Sequence, residues 1–279
     1  MFSNASRFGC TRTQRNVWSA SHRSLFDISH HHETDLMLIA QISDIHASPT
    51  NDSMARLDRA VSWLAVLQPD LLVVSGDLVD GNWLEGYGLI STSLHRLACR
   101  SLILPGNSDD RAVMRTIMPQ PDYWHDRPAM HFIEPCGGSV IIGVDTCVDG
   151  EAYGDVTQHL SWLRRALAGS PNGTALLFTH HHVFPCGIPP LDAVMCKGTQ
   201  ALAGLLKSGI RPPAAICSGH VHRSMSSLFA GIPAYTCGSI CPANPLMLDA
   251  SRVPQAADPP ALMIHDLRHG HLVSSHVSV

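Results

Sequence analysis

Five short and nearly unbroken apolar runs mark the chain, and each ends in a cluster of acidic, amide or histidine residues. Residues 36–42 end in Ser43-Asp44-Ile45-His46, residues 71–74 in Ser75-Gly76-Asp77, and residues 101–105 in Gly106-Asn107-Ser108-Asp109. Residues 174–178 end in Thr179-His180-His181-His182, and residues 214–217 in Ser218-Gly219-His220-Val221-His222. Runs of this length without alternation predict strands buried on both faces. Between the runs lie helical patterns. Met54, Leu57, Val61 and Leu64 recur at helical spacing and predict a core-facing helix entered at Asp52 or Ser53. A second helix is expected over residues 84–98, weakened by Gly86 and Gly88; a third carries Trp162, Leu163 and Leu167 and is entered near Asp155 or Thr157; a fourth covers residues 200–207. Strands alternating with helices predict an α/β fold, in which chemistry gathers at the carboxyl ends of the strands.

The pattern changes in two places. Residues 130–133 and 139–144 flank Pro135-Cys136-Gly137-Gly138 and read as a hairpin, so the sheet is expected to become mixed. Residues 226–229, 233–237, 261–266 and 271–277 read as antiparallel strands. His265, His269, His271 and His276 fit sheet or loop positions in that tail better than ligand positions. Residues 183–198, punctuated by Pro and Gly, read as a loop, in which Asp192 either lines a pocket or caps a helix. Residues 1–36 lack sustained apolar periodicity and the apolar core of a signal peptide. They read as a flexible extension whose His30-His31-His32 run is solvated, ahead of a single domain over residues 37–279.

Composition narrows the class. Hydrophobic residues make up 45% of the chain and charged residues 15%, which excludes global disorder and suits a compact enzyme. A net charge of −4 without a basic block argues against a nucleic-acid groove. No apolar run reaches the ~18 residues of a membrane span. The nine cysteines form an odd set without a Cys-x-x-Cys pair, which favours reduced thiols and a cytoplasmic setting. Assembly into a homo-oligomer is left open.

With eighteen histidines in the chain, spacing has to separate ligands from bystanders. In an extended segment, residues two apart point to one side. His220 and His222 are therefore expected to aim two imidazoles at one cavity, with Gly219 allowing close backbone approach.

Taken in order, Asp44-x-His46, Gly76-Asp77, Gly106-Asn107, His180-His181 and Gly219-His220-x-His222 resemble the calcineurin-like metallophosphoesterases. The resemblance is nearest to their class III cyclic-nucleotide phosphodiesterase and glycerophosphodiesterase branch, and it spans roughly residues 37–245. Val144-Asp145-Thr146 and Leu160-Ser161-Trp162-Leu163 also fit that branch. The resemblance implies a four-layer α/β/β/α sandwich of two mixed sheets. It implies two metal ions, one on Asp44, His46 and His222, the other on Asn107, His180 and His220, with Asp77 bridging. Oxygen and imidazole donors suit Mn, Fe, Co or Zn.

The implied activity is hydrolysis of small phosphodiesters, 3′,5′-cyclic nucleotides or glycerophosphodiesters, by in-line attack of a hydroxide bridging the metals. Asn107, His220 and His181 are the expected catalytic residues, with Asn107 and Ser108 contacting substrate. His180 is preferred to His181 as the ligand because Phe184-Pro185 then falls where the family's proline-containing segment follows its ligand. Other readings of the same site are a phosphomonoesterase or protein phosphatase, and a weakly active metal-binding scaffold. One departure stands out: the family pattern continues Gly-Asn-His-Asp, and here Ser108 replaces that histidine. Serine lacks the proton affinity of a leaving-group acid.

Overall fold

The computed structural model describes residues 37–118, 124, 128–169, 174–247 and 257–279; the expected extension over residues 1–36 lies outside them. In chain order the first elements are β1 (Leu38–Ile42), α1 (Ser53–Leu67), β2 (Leu71–Ser75), α2 (Leu84–Leu94), β3 (Arg100–Leu104) and α3 (Arg111–Ile117). The hairpin β4 (Phe132–Cys136) and β5 (Ser139–Val144) follows, then a 3-10 turn (Thr157–His159), α4 (Leu160–Ala168) and β6 (Thr174–Thr179). The remainder comprises α5 (Pro189–Asp192), α6 (Thr199–Leu206), β7 (Ala215–Ser218), β8 (Met225–Phe229), β9 (Ile232–Thr236), β10 (Ala261–Asp266) and β11 (Val273–Ser278).

These strands form two mixed sheets, ordered β11-β10-β1-β2-β3 and β4-β5-β6-β7-β9-β8. The centres are parallel, β1 with β2 and β3 in one sheet and β5, β6, β7 and β9 in the other; the antiparallel strands lie towards the edges. The pleat explains the layers. Along β1 and β2, Ile39, Leu71 and Val73 face the second sheet, where they meet Ile141, Leu176, Phe178 and Cys217. The alternate residues Leu38, Ala40, Ile42, Leu72 and Val74 face Leu57, Val61 and Leu64 of α1. On the far side, Ile142, Leu177 and Ile216 pack on Leu163 of α4 and Leu202 of α6. Helix, sheet, sheet and helix therefore stack as four layers, and burial on both faces of each sheet is why the strands read as continuous apolar runs. Among the described residues no helix is long and apolar enough to cross a membrane.

One polar link crosses the inter-sheet core. Gln41 Nε2 donates to Ser75 Oγ at 2.8 Å and to the Ser218 carbonyl at 3.2 Å, while Gln41 Oε1 lies 3.2 Å from His265 Nε2. It ties together the ends of β1, β2 and β7, which carry the polar clusters.

Several local expectations need correction. The second helix stops at Leu94, short of residue 98, and the chain turns through His95 and Arg96. Helix α3 was missed because only Met114 of its seven residues is buried; the Asp110 carboxylate, which accepts from the Ala112 and Val113 N–H groups at 2.9 and 3.0 Å, starts it. Pro135 and Cys136 belong to β4, which leaves Gly137 and Gly138 as the hairpin turn. No side chain of Asp52 caps α1; Asn51 Oδ1 accepts from the Ser53 N–H at 3.2 Å instead.

Candidate metal centre

The strand-end clusters converge at one end of the two sheets, on backbone of an uncommon kind. Asp44, His46, Asp77, His220 and His222 have φ between 48° and 68°; among the described non-glycine residues only Gln68, Asn82 and Ala230 also have positive φ. The left-handed region costs an L-residue roughly 1–2 kcal/mol. Such strain persists where surrounding contacts over-determine it, and it clusters at functional sites. For His220 and His222 the conformation also corrects the extended-segment expectation. Strand β7 ends at Ser218, the chain turns, and the two rings diverge, His220 towards His180 and His222 towards Asp44 and His46.

Two glycines permit the close approach. A Cβ on Gly219 would fall 2.8 Å from Asp44 Oδ2, and one on Gly106 would collide with the Asp77 carboxylate and backbone. In their absence the Asp44 carboxylate accepts the His220 N–H at 3.0 Å, and Asp77 Oδ1 accepts the Ser108 N–H at 2.7 Å.

Two donor sets result. In the first, His222 Nε2 lies 3.0 Å from His46 Nε2 and 3.3 Å from Asp44 Oδ1, and His46 Nε2 lies 3.2 Å from Asp77 Oδ2. In the second, His180 Nε2 lies 3.1 Å from Asn107 Oδ1, 3.2 Å from His220 Nδ1 and 3.4 Å from the same Asp77 Oδ2. One carboxylate oxygen is thus shared by both. The rings are aimed from behind: His46 Nδ1–H donates to Asp80 Oδ1 at 2.6 Å and His180 Nδ1–H to the Ser75 carbonyl at 2.7 Å, which turns each Nε2 lone pair inwards.

Charge follows the same geometry. Burial alone would raise the Asp77 carboxyl, but the imidazoles of His180 and His46 hold it well below the usual range. Burial opposes protonation of His46 and His180, yet the Asp77 carboxylate outweighs it and pushes them up to about 10 and about 9. His220, buried and facing His180, is pushed down, and its Nε2 has no hydrogen-bond partner. Ring nitrogens aimed inwards at 3.0–3.4 Å from one another and from a shared carboxylate fit cations better than they fit one another.

The calcineurin-like phosphoesterase family model matches residues 37–224, more than half of the chain. The chain belongs to the calcineurin-like phosphoesterase family. It is a hydrolase of phosphate esters, and enzymes of this family use a pair of divalent metal ions. The chain is 27% identical to a probable glycerophosphodiester phosphodiesterase of Arcobacter nitrofigilis, over 87% of this chain and 93% of that one. It is 31% identical to a probable cyclic nucleotide phosphodiesterase of Rhodococcus erythropolis, over 75% and 70%. A dimetal phosphatase from Danio rerio shares the fold, with a TM-score of 0.61 at 14% identity, over 85% of this chain and 98% of that one.

Beside the phosphoesterase centre opens a cleft of about 960 Å³, reached by Asn107 and Ser108 and lined further by Asn82, Arg111, Arg115, His159 and Trp162. Ser108 lines this cleft, although its hydroxyl oxygen is buried and has no hydrogen-bond partner. His181 does not line the cleft; it is fully buried, with Nδ1 2.8 Å from Thr146 Oγ1 and its ring 4.7 Å from that of His220. His182 is buried too. Asp192 does not line this cleft: its carboxylate accepts the Cys186 and Gly187 N–H groups at 2.7 and 3.1 Å.

Three residues escaped the sequence reading. Asp80 aims His46, Cys241 Sγ sits 3.3 Å from His222 Nδ1, and Asp109 holds the loop by accepting the Leu78 and Gly106 N–H groups at 3.0 and 2.8 Å. Burial, and then the Asp77 charge, push the Asp109 carboxyl up to about 7. Only Asp109 had a visible signal, its place beside Gly106-Asn107.

Proposed function

We propose that this enzyme is a dinuclear-metal phosphodiesterase that hydrolyses small diesters, either 3′,5′-cyclic nucleotides or glycerophosphodiesters, by in-line displacement at phosphorus. The observation that carries this reading is the shared oxygen, Asp77 Oδ2, between His46 and His180. Asp44, His46 and His222 would hold one metal, Asn107, His180 and His220 the other, and Asp77 both. Such a pair, drawn from Mn, Fe, Co or Zn, supplies an acidified water and neutralises phosphoryl charge.

The chain's own residues do the rest. With Asn107 Oδ1 facing His180, Asn107 Nδ2 is left to donate to a phosphoryl oxygen at the cleft mouth. His220 supports the same centre as a neutral imidazole. His181, buried behind His180 and His220, positions those rings and does not itself reach the leaving group. Ser108 contacts substrate at the cleft.

Charge in the cleft favours a diester over a monoester. Arg111 is paired with Asp145 and Asp149, and Arg115 donates to the Trp124 and Pro128 carbonyls. Asp110 adds negative charge to the lining, and Asp109, pushed up to about 7, adds part of one. A singly charged diester meets less repulsion there than a doubly charged monoester. The names of the two relatives point the same way. The buried or half-buried free thiols among the described residues suit a cytoplasmic setting.

Metal content measured together with hydrolysis of bis- and mono-p-nitrophenyl phosphate tests the reading. Two metals per chain with faster diester cleavage is the expected result. Faster monoester cleavage would make the protein a phosphomonoesterase, and two metals without turnover would make it a scaffold.

A further inference from the structure

A second cluster of ligating atoms lies on the other side of His220. Nitrogen, sulfur and oxygen atoms of His182, Cys186 and Asp192 lie within 4.8 Å of one another, all on the segment between β6 and α6, with Asp192 the last residue of α5. We propose that these three residues form a third, mononuclear metal site of zinc type, separate from the two donor sets joined by Asp77.

The imidazole of His182 is the strongest sign. It is fully buried, and neither ring nitrogen has a hydrogen-bond partner. Its Nε2 faces Asp192 Oδ1 at 3.8 Å. Unpaired buried polar atoms are uncommon in folded proteins, and an ion or a water is the ordinary explanation. Either nitrogen could hydrogen-bond a water; a thiol and a carboxylate gathered beside the same ring favour an ion over a water.

The donors match one kind of ion. Imidazole, thiol and carboxylate together select a borderline metal such as zinc, and calcium or magnesium would take oxygens only. An ion about 2.0–2.3 Å from each donor needs the donors about 3.3–3.8 Å apart in a tetrahedron. The His182–Asp192 pair, at 3.8 Å, is a few tenths of an ångström wider than the about 3.3–3.5 Å that a nitrogen and an oxygen donor need, a gap that small side-chain rotations would close.

The surroundings resemble those of a ligand shell. The Asp192 carboxylate is fixed by the Cys186 and Gly187 N–H groups, the kind of outer hydrogen bonding that orients a ligating carboxylate. Ile188 and Val221 pack around Cys186, with Met225 and Met247 beside them, and so limit water. Asp192 remains partly exposed, which leaves an entry path and a fourth position for water. The ion would close the loop from His182 to Asp192 on itself. It would also fix the His182 ring, which is stacked on His220 at 5.5 Å and 23°.

Cobalt substitution tests the site without relying on turnover. Thiolate bound to Co(II) gives a near-ultraviolet charge-transfer band, and the thiol to be told apart from Cys186 is Cys241, which lies within ligating range of His46 and His222. The metal-free chain titrated with Co(II) should develop this band. Cys186→Ser should abolish it and lower the bound cobalt by one equivalent, whereas Cys241→Ser, which removes the thiol beside His222, should leave it intact. Asp192→Asn, which keeps an acceptor for one of the two loop N–H groups, should weaken the band-forming step by about tenfold or more. Zinc absorption spectroscopy on the wild-type chain should find a sulfur neighbour at about 2.3 Å, a measurement that stands even if a variant fails to fold. No band and no sulfur neighbour at saturating metal would overturn the proposal, as would a band that survives Cys186→Ser or disappears in Cys241→Ser. Loss of phosphodiesterase activity with the band intact would count against the proposed function and leave the third site standing.

Discussion

His46 Nδ1–H donates to Asp80 Oδ1 at 2.6 Å, so a carboxylate from the loop after β2 aims an imidazole that belongs to the loop after β1. The two loops are also joined by the Asp80 N–H to the Ala47 carbonyl at 3.0 Å, which places the carboxylate independently of its side-chain bond. Asp80→Ala should leave the fold intact and free the His46 ring to rotate or change tautomer. Metal affinity at the Asp44, His46 and His222 set should fall by about 10–100-fold, the usual effect of deleting an orienting partner. Titrating activity of the stripped enzyme against added metal checks this; an unchanged half-saturation point would remove Asp80 from the centre.

Asp77→Ala should abolish paired metal binding and hydrolysis together. Its Oδ2 is the oxygen near both His46 and His180, and without it two cations would face each other with less negative charge between them. Metal analysis alongside turnover provides the test. A variant that retained two metals and near-normal rates would show that the bridging role is misassigned.

Most of this architecture was legible because burial writes itself into sequence. Gln41 apart, the runs over residues 36–42 and 71–74 are apolar since both faces of β1 and β2 are covered, and the acids and histidines behind them sit where parallel strands deliver chemistry. Short amphipathic pieces were illegible for the converse reason, as α3 buries little beyond Met114. The site was legible at the level of residue type and order. Its backbone was not: periodicity predicts side-chain direction only for regular structure, and His220 and His222 lie in the left-handed region, where the two-residue rule fails. Asp80 and Cys241 were hidden because their partners, His46 and His222, are distant in sequence and only the fold brings them into range.

Metal binding should depend steeply on pH. In the metal-free chain, burial opposes but the Asp77 carboxylate wins, so His46 titrates at about 10 and His180 at about 9 against an ordinary 6.5. Both are protonated near neutrality, whereas a metal requires the neutral rings. Affinity should therefore rise with pH from about 6.5 towards 9, with up to about two protons released per chain at about pH 7.5. Folded values raised above unfolded ones give stability that is full below about 6.5 and lost as pH climbs through about 9–10. Between about pH 7 and about 8.5 the metal-free chain should accordingly lose thermal stability, and the loaded enzyme should lose less. Calorimetric titrations in buffers of different ionisation enthalpy count the protons directly; zero release would mean the two rings are already neutral.

Ser108 bears on the leaving group. Its N–H is committed to Asp77 Oδ1, its hydroxyl is buried without a partner, and the residue lines the cleft where the family pattern places a histidine. Without that acid, diesters with activated aryl leaving groups should react much faster than alkyl diesters, whose alkoxide needs a proton to depart. Ser108→His should help the poorest leaving groups most, within the ~10²–10⁴-fold range of general acid catalysis. Plotting kcat/KM against leaving-group pKa for wild type and variant gives two slopes, and the variant's should be shallower. Equal slopes with no gain for alkyl diesters would mean that a proton already arrives from elsewhere. His159 is the first residue to examine then, because it lines the same cleft and burial pulls its pKa down, which makes its proton easier to give up.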